Sequence, residues 1–243
     1  MSHRVSRSWS FRDFILIWLA QQIGSAGAFA IAVATDAGSI ILLSLVGQYI
    51  AGLGLLLWLA RRKEDGDLGF TIEGGDFGYI GLGLLIQLGL AQLMLPLSNF
   101  LFPEGRPEQS VASSLIEAEA FPVQIALVVA YVVVGPVVEE LVYRGVLLKA
   151  LEPLGRWTAI IGSALVFAAI HLPGLETDQL MRSAAVFLPP FIVLGIFLAW
   201  LTIRKGRLGP AIFVHSGWNL LAALVLLVPT DILDQISRSQ PPL

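Results

Sequence analysis

The sequence predicts an all-α membrane protein, a polytopic bundle of about seven apolar helices. Three observations set the class. Of the 243 residues, 56% are hydrophobic and 14% charged, against roughly 45–50% apolar and about 25% charged in a soluble domain. The mean hydropathy of +0.79 agrees. A water-soluble globule built from this composition would lack the polar residues to cover itself. The third observation is periodic in another sense: apolar runs recur along the chain at the length of a bilayer crossing, about 20 residues.

Taken in order, the predicted spans are 14–34, 38–60, 77–99, 121–143, 157–173, 183–203 and 209–229. The fifth is short, and the seventh carries His215 and Asn219; both are tolerable where a helix is buried against others or lines a cavity. Lys and Arg favour cytoplasmic loops. Arg4, Arg7 and Arg12 precede the first span, and Arg61, Arg62 and Lys63 follow the second. Arg144, Lys149 and Arg156 separate the fourth from the fifth, while Arg204, Lys205 and Arg207 follow the sixth. Only Arg106, Arg182 and Arg238 fall on the other side. The N-terminus is therefore expected in the cytoplasm. A competing reading of the N-terminus is a signal peptide cleaved after Ala30-Ile31-Ala32 or Ala32-Val33-Ala34. The chain shows no internal repeat and reads as a single membrane domain, 1–243.

Composition also excludes chemistries. With no cysteine there is no disulfide framework, thiolate nucleophile or sulfur-ligated zinc. A net charge of -3 without a basic run argues against nucleic acid as a partner. Of three histidines, His3 lies in the tail, whereas His171 and His215 lie in apolar segments.

Ionisable groups inside a span cost about 2.5–3.5 kcal/mol or more and so tend to mark function. Three clusters qualify. Glu139-Glu140-Leu141-Val142-Tyr143-Arg144 follows an apolar run. On a helix Glu140 and Arg144 are one turn apart and can pair, which leaves Glu139 unneutralised. Gly135-Pro136 just upstream removes a backbone donor and frees a carbonyl. Phe167-Ala168-Ala169-Ile170-His171 closes the fifth segment, with Phe167 and His171 on one face. In His215-Ser216-Gly217-Trp218-Asn219, His215 and Asn219 are also one turn apart. The bland alternatives are a helix leaving the membrane at Glu139, an interfacial histidine at 171, and interhelical hydrogen bonding at 215 and 219. They weaken together. An antiparallel hairpin turning near Gly155 would bring Glu139 and His171, each about 16 residues from the turn, to a similar depth of roughly 24 Å. His215 and Asn219 would begin from the same basic side and meet them.

These three segments, EELVYR, FAAIH and HSGWN, resemble the E-E-x-x-x-R, F-x-x-x-H and H-x-x-x-N signatures of the CAAX prenyl protease and bacteriocin-processing family of intramembrane endopeptidases. The resemblance runs from Pro122 to Pro229. Asp67-Leu68-Gly69-Phe70 resembles a short cytoplasmic motif found upstream of them. The resemblance implies peptide-bond hydrolysis by activated water, on a peptide or membrane-protein substrate within the bilayer; the signal-like N-terminus and general character of the chain point to a bacterial plasma membrane. Glu139 would activate the water with His171 as partner, His215 and Asn219 would hold a metal or stabilise the oxyanion, and Glu140 and Arg144 would support them. Two versions stay open. In one, a divalent ion, zinc, is bound by Glu139, His171 and His215. In the other, glutamate acts as general base without metal. A covalent serine route is disfavoured because Ser216, adjacent to His215, does not face it on a helix. The rivals from other classes are a membrane binding or immunity protein and a transporter. A transporter usually spreads polar residues over paired repeats, and here they crowd into one half.

Overall fold

The computed structural model describes residues 9–36, 39–104, 115–116, 118, 120–175 and 179–227. His3, Arg4, Arg7, Arg106 and Arg238 lie outside the described residues, as does the end of the seventh predicted span. Among the described residues seven helices are long and apolar enough to cross a membrane. In chain order they are α1 Phe11–Ala34, α2 Ile40–Arg62, α3 Tyr79–Leu101, α4 Phe121–Leu154, α5 Arg156–Ala169, α6 Leu180–Lys205 and α7 Gly209–Leu227. The described residues contain no strand.

Local chemistry explains the boundaries. The Ser10 side chain accepts from the backbone N–H of Asp13, and the Asp13 carboxylate accepts from the Ser10 backbone; this reciprocal pair satisfies free donors at the start of α1. Gly155, at φ 104°, makes the turn between α4 and α5, a conformation that suits glycine. Gly206, left-handed at φ 68°, ends α6. The fourth span runs further than expected, to Leu154 rather than 143. Arg144 is accordingly no loop residue: its side chain is fully buried beside Glu140. Because the two charges neutralise each other, the helix need not leave the apolar layer where they occur. The positive-inside argument loses this one residue and keeps its direction.

The basic end of the bundle is tied together by the linker after α2. Lys63 pairs with Asp13 at 2.8 Å. The Asp67 carbonyl accepts from Trp9 Nε1 and from Lys149 Nζ. Arg207 binds Asp76 and Glu73, and the Leu208 backbone N–H donates to the Gly69 carbonyl. Leu68 is buried and lies against Gly145. The starts or ends of α1, α2, α4 and α7 thus meet on one side, as the distribution of Lys and Arg predicted.

Two helix contacts seat the polar residues. A Cβ at Gly83 of α3 would run into the Val214 carbonyl, and one at Gly217 of α7 into the Ile80 carbonyl. Only glycine allows α3 and α7 to approach this closely. A single buried cluster then joins Phe14 and Ile17 of α1, Leu56 of α2, Val142 and Val146 of α4, Phe167 of α5, Leu194 and Leu198 of α6, and Val214 and Trp218 of α7.

Candidate active site

The site forms where α4, α5 and α7 face one another, and α4 is irregular there. Over Ala130–Val134 and again over Leu141–Leu148 its turns widen to i→i+5 bonding, a local form frequent at functional positions. The Gly135 N–H donates to the Ala130 carbonyl. In the same register the next donor would serve Tyr131, but residue 136 is proline and has none. The Tyr131 carbonyl is taken instead by Asn219 Nδ2 of α7, at 2.8 Å. The freed carbonyl foreseen at Gly135-Pro136 is therefore the anchor for Asn219.

Below this point Glu139 and Glu140 have different surroundings. Glu140 and Arg144 are fully buried and joined at 2.9 Å. Arg144 also donates to the Gly195 carbonyl at 3.2 Å and lies 4.5 Å from the Phe167 ring centre. Glu140 Oε1 is 2.9 Å from His215 Nδ1 as well. A carboxylate can only accept from it, so His215 carries a proton on Nδ1 and turns its Nε2 toward Glu139. Nε2 faces Glu139 Oε2 across 3.7 Å, too long for a hydrogen bond. Glu139 keeps 23% of its side-chain surface exposed, while its Oε2 has no hydrogen-bond partner. Of the two carboxylates, this is the open one.

His171 enters from the end of α5. Its Nδ1 is 2.9 Å from the Phe167 carbonyl, which fixes the proton there and leaves Nε2 free. The ring stacks on Phe191 at 4.0 Å. Phe167 is the hub, with edge contacts to His171, His215 and Tyr143 at 5.1, 5.5 and 5.5 Å between ring centres. The antiparallel turn at Gly155 and the shared faces of Phe167–His171 and His215–Asn219 are all present. Among the described residues, however, His171 makes no hydrogen bond to Glu139 or His215; the Phe167 ring touches both imidazoles edge-on.

That bears on a metal. Each imidazole gives Nδ1–H to an oxygen, the orientation expected of a metal-binding histidine. Yet among the described residues no three His, Asp or Glu side chains converge closely enough to hold an ion. The set Glu139, His171 and His215 does not fit zinc in this arrangement, and no step below is assigned to one.

Reading the residues alone missed three features. The Tyr131 carbonyl had a signal, since Pro136 frees an acceptor upstream, though not its identity. Phe191 and Gly195 of α6 had none, because neither differs from its apolar neighbours until the helices pack.

Fold and site together define a polytopic helical membrane protein with a buried Glu–His–Asn constellation in its second half. Comparison with known proteins places that half in context. Residues 121–221 match the family model described as type II CAAX prenyl endopeptidase Rce1-like, so the resemblance read from the three motifs holds over this segment. The chain is also 25% identical over 192 residues to the "Putative membrane peptidase YdiL" of Bacillus subtilis (strain 168), covering 75% of this chain and 70% of that protein. No solved structure matches the chain.

Proposed function

We propose that this protein is an integral membrane endopeptidase of the CAAX-protease kind, and that Glu139 activates the attacking water. The observation that carries the reading is the contrast between the two adjacent carboxylates. Glu140 is sealed from solvent, with Oε1 shared by Arg144 and His215 and Oε2 buried without a hydrogen-bond partner. Glu139 keeps part of its side chain open to solvent, and its buried, unbonded Oε2 lies 3.7 Å from His215 Nε2. Similarity to the CAAX endopeptidase model over the same residues supports it.

The chemistry follows from the donors and acceptors. A water bridging the Glu139 carboxylate and the Nε2 of a neutral His215 gives one hydrogen to each, which turns its lone pairs outward. As the water oxygen bonds to the peptide carbonyl carbon, its proton passes to Glu139 and the carbonyl electrons move to oxygen. The tetrahedral intermediate collapses by breaking the C–N bond, and Glu139 returns the proton to the departing nitrogen. Glu140 orients His215 through Nδ1 and is itself held by Arg144. His171, in edge contact with Phe167, is the partner that holds water or the leaving nitrogen. Asn219 anchors α7 to α4 and borders the carbonyl. In a water-poor cavity each of these contacts is stronger than in bulk solvent.

The substrate class is a peptide or membrane protein reaching the site from the bilayer of a bacterial plasma membrane. The test has two parts. Purified protein in liposomes is offered internally quenched apolar peptides, with and without a farnesylated C-terminal CAAX cysteine. Membrane proteomes of cells carrying the parent or Glu139→Gln are compared for accumulated precursors. Cleavage that depends on Glu139 supports the assignment; equal cleavage by the variant would falsify it.

A further inference from the structure

Polar contacts join α4 and α7 at three heights. Asn219 reaches the Tyr131 carbonyl and His215 reaches Glu140. The third connection is indirect and lies at the basic end, where α4 ends and α7 begins and the linker after α2 grips both. On α4, the Asp67 carbonyl accepts from Lys149 Nζ at 2.8 Å. Leu68 packs on Gly145, where an added Cβ would lie 3.2 Å from Leu68 Cδ2. Gly69, at φ 70°, then turns the chain toward α7, a conformation that suits glycine. The N–H groups that open a helix have no partner within it, and here the linker supplies two. Leu208 N–H donates to the Gly69 carbonyl at 2.8 Å and Gly209 N–H to the Thr71 carbonyl at 3.2 Å; Pro210 has no donor to place. Arg207 is bound by both Asp76 oxygens and by Glu73. The fit is close, since a methyl on Gly209 would run into Asp76 Oδ2 and the Thr71 carbonyl.

His215 stands six residues after Gly209 and Glu140 five before Gly145, roughly 9 and 8 Å along their helices. Over so short a length a helix is stiff, so a shift at its start carries to the imidazole. Resting on the peptidase reading above, we propose that Asp76 and Arg207 are positioning residues. Their ion pair locks linker 67–76 onto the start of α7 and sets the height and rotation at which His215 faces Glu139. Exposed ion pairs contribute little, but Asp76 is only 1% exposed and its two-pronged bond to a guanidinium fixes direction as well as distance. Because the same linker is fixed to α4, it gauges one catalytic helix against the other. Asp76 lies outside 121–221, the segment that matches the family model.

The experiment uses the full chain in liposomes with the same two quenched peptides. It compares the parent, Asp76→Asn, Arg207→Gln, Gly209→Ala, Glu139→Gln and, as a control on an exposed linker residue, Glu64→Gln. A displacement of about 1 Å far from the chemistry can cost about 100-fold. Asp76→Asn, Arg207→Gln and Gly209→Ala should each lower kcat by about 10- to 100-fold with KM changed less than about 2-fold, while Glu64→Gln matches the parent. A peptide phosphinate, which mimics the tetrahedral intermediate, should bind Asp76→Asn at least about tenfold more weakly, and the cleaved product peptide should bind it as it binds the parent. With His215→Ala as background, Asp76→Asn should weaken phosphinate binding no further, because the pair acts through that imidazole. Asp76→Asn changes the least and carries the test should Arg207→Gln fail to accumulate. Parental kcat and phosphinate affinity in Asp76→Asn, in a parent that cleaves and loses cleavage with Glu139→Gln, overturns the positioning role alone. An equal phosphinate loss in the His215→Ala background, or an equal loss of product binding with a lowered unfolding temperature, assigns the pair to packing and also overturns it. A parent that cleaves neither peptide and binds no phosphinate overturns the peptidase reading and this proposal with it.

Discussion

Glu139 and Glu140 are neighbours in sequence and opposites in environment, and their substitutions should separate accordingly. Glu139→Gln keeps the shape and the partial exposure of the side chain while removing the proton acceptor. Cleavage should fall by at least about 100-fold with unchanged thermal unfolding in detergent. Arg144→Met removes one partner of a fully buried pair and strands the carboxylate of Glu140; such a loss costs about 3–5 kcal/mol. That variant should unfold at clearly lower temperature and accumulate poorly in the membrane. The metal question belongs to the residue scale as well. Since Glu139, His171 and His215 do not converge on an ion site, exhaustive chelation should leave cleavage intact, with no stoichiometric metal by elemental analysis. Loss of activity that zinc alone restores would reinstate the ion.

Helices set these side chains in register, and their irregularities are what do so. A uniform α4 would return the Tyr131 carbonyl to its own helix; the missing donor at Pro136 and the widened turn release it to Asn219. Close approach of α3 and α7 depends on Gly83 and Gly217, where added atoms meet backbone rather than flexible side chains. Gly217→Leu should therefore push α7 from α3, displacing His215 from Glu140. Its expected signature is joint loss of activity and of thermal stability, read by cleavage and by unfolding in detergent. Gly155 takes a positive φ outside the range that side-chain-bearing residues favour, and Gly155→Ala should cost about 1–3 kcal/mol without altering the residual chemistry of molecules that fold.

At the scale of the whole molecule, basic residues and the linker after α2 gather at one end of the bundle. That end should face the cytoplasm by the charge rule. The absence of native cysteine makes this directly testable with introduced thiols and a membrane-impermeant maleimide. Asp65→Cys, between α2 and α3, should label only when the cytoplasmic face is accessible, and Glu104→Cys, after α3, only from outside. The reverse pattern would invert the topology and leave the site chemistry untouched.

The number and order of the helices, the basic end and the three polar clusters were legible in sequence. Each depends on composition or on spacing within one helix, and a charge in a run of Leu and Val announces its cost wherever the run folds. Pairing of Glu140 with Arg144 was legible for the same reason, being a one-turn relation. What needed tertiary structure was the division of labour between helices. Which acid is sealed depends on His215 arriving from α7 and Gly195 from α6. The ring that touches both imidazoles, Phe167, is brought to them by the packing of α5. A chain declares its local periodicities and its expensive residues; which atoms those residues meet is set by how closely the backbones can approach, and that is a property of the assembled bundle.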